Sequence, residues 1–155
     1  MRYWMGWAAL LVACQSGKDS EDTGGETGEP MAELDVAGQA FLLESAEGFD
    51  PVEGEDIRLY FPEENRYTPP EEIAFSVYAG CNSMDGSFAL SADGTMSVSE
   101  LATTDMWCGD ALGEQEDWLR DFLMSTPNLS HEAPRLTFST SAAELVFLEE
   151  GEEEE

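Results

Sequence analysis

The sequence predicts an α+β fold that is mostly β, an antiparallel sheet of about seven strands with one α-helix packed across it. Three observations carry this. Short runs in which apolar and polar residues alternate recur over 41–98 and again over 136–148, the period of half-buried strands. Residues that favour turns or forbid ladder bonds separate them, among them Pro62, Pro69-Pro70 and Asp93-Gly94, so consecutive strands are short and pair in sequence order. One segment after Met106 departs from that pattern and repeats its apolar residues at helical spacing.

In chain order, Phe41-Leu42-Leu43 is an apolar run fitting a first buried strand that ends before Gly48. Ile57, Leu59 and Phe61 alternate with Arg58 and Tyr60 and stop at Pro62; Ile73, Phe75 and Val77 alternate up to Tyr78. The chain then meets Gly80-Cys81-Asn82, where Gly80 and Asn82 tolerate positive φ and suit a reversal or bulge. Residues 86–90 and 95–98 bracket Ala92-Asp93-Gly94, a hairpin signal. Asp110 fits a helix N-cap, and Glu114, Glu116 and Asp117 follow early, where a helix favours negative charge. Ala111, Trp118 and Phe122, with Leu112, Leu119 and Leu123, form one apolar stripe, and Pro127 closes the segment. Trp118 on such a stripe reads as core. Residues 136–139 and 144–148 give two last strands around Ser141-Ala142-Ala143. No internal repeat of fixed period is present.

The region from Tyr78 to Cys108 organises the rest. It opens with Gly80-Cys81-Asn82, reaches Gly86, and closes with Thr104-Asp105-Met106-Trp107-Cys108 ahead of an acidic helix. That combination resembles the META domain of the heat-shock lipoprotein family, with Trp107 where the family's second element usually has Ala. The resemblance extends weakly from about Phe41, where the family usually has Trp, to about Leu148. It implies a strongly bent antiparallel sheet, a half-barrel, with a single helix. It implies no defined molecular activity.

The remaining chain divides around that domain, taken as 36–148. Residues 1–13 hold Arg2, an apolar run from Tyr3 to Val12, and Ala13. This is too short to cross a bilayer, which needs about 20 helical residues, and reads as a secretory signal peptide. Leu11-Val12-Ala13-Cys14 looks like a bacterial lipobox. Cys14 is therefore the expected lipidation site, its thiol accepting diacylglycerol, and several acyl chains per cysteine would anchor the protein stably. Gln15 after the cysteine favours outer-membrane sorting under the usual enterobacterial rule. The stretch 14–35 is otherwise a Gly, Ser, Thr and acid-rich tether with too little apolar surface to offset its ordering entropy. Residues 149–155 form an acidic tail.

Charge narrows the partners. The chain carries −28 from 34 acidic and 6 basic residues, and within 36–148, 21 acids face only Arg58, Arg66, Arg120 and Arg135, a net −17. Such a surface repels phosphate backbones and anionic headgroups, so nucleic acid is excluded as an expected partner. A cationic protein or an apolar ligand is the partner class left beside the lipid anchor, and a monomer is expected.

Chemistry is sparse. His131, in Leu129-Ser130-His131-Glu132, is the single histidine and reads as part of an exposed loop. A Ser-His or Cys-His mechanism would need it. Asp85-Gly86 and Asp93-Gly94 read as turns, since neither carries the alternating oxygen ligands of an EF-hand. No catalytic residue, cofactor or metal ligand is expected. With Cys14 lipidated, Cys81 and Cys108 are left as a pair in an oxidising compartment, which favours a disulfide over two buried thiols. The expected function is a non-enzymatic lipoprotein of the bacterial cell envelope with a stress-tolerance or binding role. The alternatives are an apolar-ligand (lipid) binding module using the half-barrel and an inhibitor of a cationic envelope enzyme.

Overall fold

The computed structural model describes residues 34–64 and 66–151; the leader, Cys14 and most of the tether lie outside them. Eight strands and one helix follow in the order β1 (Ala40–Glu47), β2 (Arg58–Tyr60), β3 (Ile73–Tyr78), β4 (Ser83–Leu90), β5 (Met96–Thr103), α1 (Asp110–Met124), β6 (Asn128–Glu132), β7 (Arg135–Ser139) and β8 (Glu144–Glu149). All join one antiparallel sheet in the order β5-β4-β3-β2-β1-β8-β7-β6. It is a five-stranded and a three-stranded meander fused where β1 meets β8.

The alternation in sequence becomes rows of side chains across the inner face. Phe41, Leu59, Val77 and Met84 stand opposite one another on β1 to β4, and none is more than 2% exposed. Ala46, Leu145, Phe138 and Leu129 form a second row through β8, β7 and β6. Phenylalanines fill the space between rows edge to face, with ring centres 5.8 Å apart for Phe41 and Phe61 and 5.6 Å for Phe75 and Phe88. Burying each such ring contributes about 1.5–3 kcal/mol.

The sheet curls until its outer strands touch at one end. Thr95 bridges Asn128, the Met96 amide donates to Pro127 O at 2.9 Å, and the Leu129 amide donates to Gly94 O at 2.8 Å. The β4–β5 turn makes this contact possible: Gly94 holds φ +84°, and Asp93 O accepts from Asn128 Nδ2 at 2.9 Å. α1 then runs from one outer strand to the other, with Leu119, Phe122 and Leu123 buried.

Three expectations are corrected. Residues 128–132 form β6 rather than a loop, the eighth strand of the expected antiparallel sheet, and the residues between Pro127 and Pro134 are too polar to advertise it. His131 accordingly lies on an inner row with Leu136 and Phe147, half-buried, its ring edge-on to Phe41 at 6.0 Å. The N-cap of α1 is Gly109, at φ 98°, with Asp110 the first helical residue and no side-chain cap. Asn82 is absent from the positive-φ residues, where Gly80 stands at +95°; its role lies in its side chain.

Candidate functional site

The signature segment folds into a clasp between the β3–β4 reversal, the 104–108 segment and α1. Gly80 turns the chain with a φ that a side chain would strain, and a Cβ there would sit 3.0 Å from Leu112. The turn aims Asn82, 3% exposed, at both partners. Asn82 Oδ1 accepts from the Met106 amide and from Thr104 Oγ1, each at 2.8 Å. Asn82 Nδ2 donates to Met106 O and to Glu116 Oε2, each at 2.9 Å. The Asn82 amide donates to Glu116 Oε1 at 2.7 Å. Every polar atom of this side chain is thereby satisfied in an interior where an orphan would cost about 1–3 kcal/mol.

Cys81, beside Asn82, is joined to Cys108 in a disulfide with Cα atoms 6.1 Å apart. The bridge closes the same gap covalently. Gly86, the last signature glycine, is fixed by strand approach: a Cβ there would meet Glu100 O at 2.3 Å.

Sequence reasoning missed the helical half of this clasp. Gln115 and Glu116 are buried on α1, 2% and 8% exposed, although Glu116 is expected only as one of the helix's early acids. Gln115 Nε2 donates to Ala79 O at 2.8 Å, and its Oε1 accepts from the Val52 amide at 2.7 Å. The signal was available as a Gln-Glu pair interrupting an apolar stripe between Leu112 and Leu119. A second missed node straps the β2–β3 connection over β4 and β5: Glu72 Oε2 accepts from Ser87 Oγ at 2.5 Å and Ser99 Oγ at 2.7 Å. Those hydroxyls, Ser87 first, hold the Glu72 carboxyl below its ordinary value. In the β4–β5 turn, Ser91 Oγ donates to Asp93 Oδ1 at 2.6 Å and the Thr95 amide at 3.0 Å, and these lower Asp93 to about 2. Asp93 thus sits in the hairpin turn as expected, whereas Asp85-Gly86, expected as a turn, lies within β4, paired with Ser76 and Phe75 on one side and with Ala102 and Leu101 on the other.

The other candidates do not converge. His131 lies on β6, whereas Cys81 lies in the β3–β4 reversal, bonded to Cys108. Among the described residues no group of three or more His, Cys, Asp or Glu is placed to hold a metal ion, and no helix is long and apolar enough to cross a membrane. The concave face is occupied by Phe41, Phe61, Phe75, Phe88, Phe138 and Phe147, each 3% exposed or less. Trp118 is half-buried, stacked between Phe49 at 4.1 Å and Phe122 at 5.2 Å, which joins it to the core edge.

The outer side of the clasp differs in character. Met106 is 61% exposed and Trp107 87% exposed, although their neighbours are bonded inward. A cleft of about 400 Å³ lies between this segment and α1, with Asp105, Asp117 and Arg120 on its walls. Arg120 pairs with Asp117.

The chain's relatives agree with this architecture. A structure determined by NMR matches with a TM-score of 0.54 and 24% identity, covering 72% of this chain and 88% of that one. The NMR structure of a protein from Burkholderia xenovorans matches with a TM-score of 0.56 and 21% identity, covering 74% of this chain and 83% of that one. At these identities the likeness concerns the fold. No curated protein matches the chain. The META domain family matches residues 33–152, the span that contains the clasp, the curled sheet and the helix, and the chain belongs to the META domain family.

Proposed function

We propose that this protein is a non-enzymatic META-domain lipoprotein of the heat-shock lipoprotein kind, anchored in the bacterial cell envelope through Cys14. It acts in stress tolerance by binding another envelope component. One observation carries the reading. The polar side chains of the signature segment, Asn82, Thr104 and Glu116, are spent on one another and on the backbone, and Cys81 is bonded to Cys108. A signature used up in holding shape leaves recognition to the surface that the shape displays. The leader and Leu11-Val12-Ala13-Cys14 supply the anchor, with the outer membrane as its site. The charge of −28 favours a cationic protein as the bound component, and inhibition of a cationic envelope enzyme is one form this takes.

The test uses the full chain in its producing bacterium. Labelled palmitate should enter the wild type and not Cys14→Ser, which should accumulate as precursor. Native mass spectrometry of the extracted wild type should show a second component bound. Normal cleavage of Cys14→Ser together with an unlabelled wild type would overturn the anchor. A wild type that never carries a second component would overturn the binding role.

A further inference from the structure

An indole held out in water on a rigid backbone needs a physical reason. Trp107 sits between two fixed points. Met106 exchanges both backbone groups with Asn82, at 2.8 and 2.9 Å, and Cys108 is covalently joined to Cys81. Thr104 adds a third tie, its amide donating to Ser83 O at 3.1 Å. The segment therefore cannot fold its apolar side chains back onto the core, and Met106 and Trp107 stand 61% and 87% exposed side by side. Fixing the backbone in advance removes part of the ordering cost that binding otherwise incurs. Tryptophan is also the side chain that most often dominates an interface.

The surroundings choose the partner. Asp105 and Asp110 flank the indole in sequence and are exposed, and Asp117 lines the adjoining cleft of about 400 Å³. Arg120, the cation on that wall, has its charge met by Asp117. An anionic lipid surface would be repelled here. A guanidinium or ammonium group gains from both parts of the site, from the ring face by cation–π attraction and from the carboxylates by charge.

We propose that Met106 and Trp107, with the cleft between residues 103–107 and α1, form the docking surface for an arginine- or lysine-bearing segment of a cationic protein. This rests on the binding role proposed above and locates it. The partner's basic side chain lies across the indole with its head toward Asp105, and its apolar stem covers Met106. The disulfide and Asn82 act as positioning groups that keep the platform open.

The test measures a fluorescent nona-arginine peptide by anisotropy against the full-length exported protein. Trp107→Ala should weaken binding about tenfold, the usual loss for a central aromatic anchor, and Asp105→Asn a few-fold. Glu53→Gln, which removes an equal charge elsewhere, should change it less than twofold. Because Trp107 is exposed, its removal should leave the melting temperature within about 3 °C, the surface-substitution range. Equal binding by wild type and Trp107→Ala would overturn the proposal, as would Trp107-dependent binding to phosphatidylcholine–phosphatidylglycerol vesicles without binding to the peptide. Native mass spectrometry of Trp107→Ala from the producing cell separates the two levels. A second component still bound to that variant contradicts this surface and leaves the binding role standing, whereas a wild type that carries none contradicts both.

Discussion

Asn82 does more for this fold than its size suggests. It accepts two hydrogen bonds, donates two through its amide group, and through its backbone holds Glu116. Asn82→Ala should destabilise the protein by about 3 kcal/mol, the upper range for leaving buried groups unpaired beside a carboxylate. Asn82→Asp should cost at least as much at neutral pH, since it sets an acceptor and a like charge against Glu116; chemical denaturation checks both. Asp93 gives a prediction of a different kind. Its folded pKa of about 2 lies below the ordinary 3.8, chiefly because Ser91 donates to it. The stabilisation is complete above about pH 4 and is lost as pH falls through about 2. Melting temperatures of wild type and Asp93→Asn should therefore converge over that window, with the wild type falling more steeply. A constant difference across it would contradict the assignment. Of these residues, Gly80, Asn82 and the cysteines were legible as a motif, but Asn82 suggested backbone conformation where the side chain carries the role. A motif gives residue types and spacing; it does not name the partner 34 positions away on α1.

At the scale of elements, alternation located strands where one face is buried and the other wet, and β2 and β3 obey it closely. It failed where the ladder is irregular or the strand is polar. The register shift between Ser87 and Phe88 places Ser99 as an extra residue and interrupts the pattern of β5, which runs to Thr103 rather than stopping at 98. β6 carries Asn128, Ser130 and Glu132 outward, and Leu129 and His131 inward, so only one strongly apolar residue marks it. α1 was legible from its stripe, but its start shifted by one residue because Gly109, not Asp110, makes the turn. The 27-residue separation of the disulfide sets its weight in this assembly. Chain entropy for such a loop is worth about 3.5 kcal/mol, so reduction should lower the melting temperature by roughly 10–20 °C. Cys81→Ala alone should match the double variant with Cys108→Ala. A melting temperature indifferent to reductant would contradict the bridge's contribution.

For the whole molecule, charge and closure act against each other. Within 36–148 a net −17 is compressed onto one curled sheet. The ion pairs on that surface, Arg58 with Asp56 and Glu150, Arg120 with Asp117, and Arg135 with Glu44, are solvent-exposed on at least one side and contribute little. Raising sodium chloride from 0.01 to 0.15 M shortens the screening length from about 30 to about 8 Å, so the melting temperature should rise; a fall would show that ion pairs outweigh repulsion. What resists the repulsion is the aromatic interior together with the clasp that ties α1 to the β3–β4 reversal and the 104–108 segment. The interior was readable from composition and periodicity, whereas the closure at Thr95 and Asn128 was not, because it depends on sheet curvature summed over eight strands. The central claim is that the signature segment exists to hold the helix and the 104–108 segment onto the sheet. Native-state amide hydrogen exchange of wild type and Asn82→Ala tests it most directly. In Asn82→Ala the amides of Met106 and of 113–123 should lose protection through a local opening, while β1 and β8 keep theirs; helix amides protected as in the wild type would contradict the account.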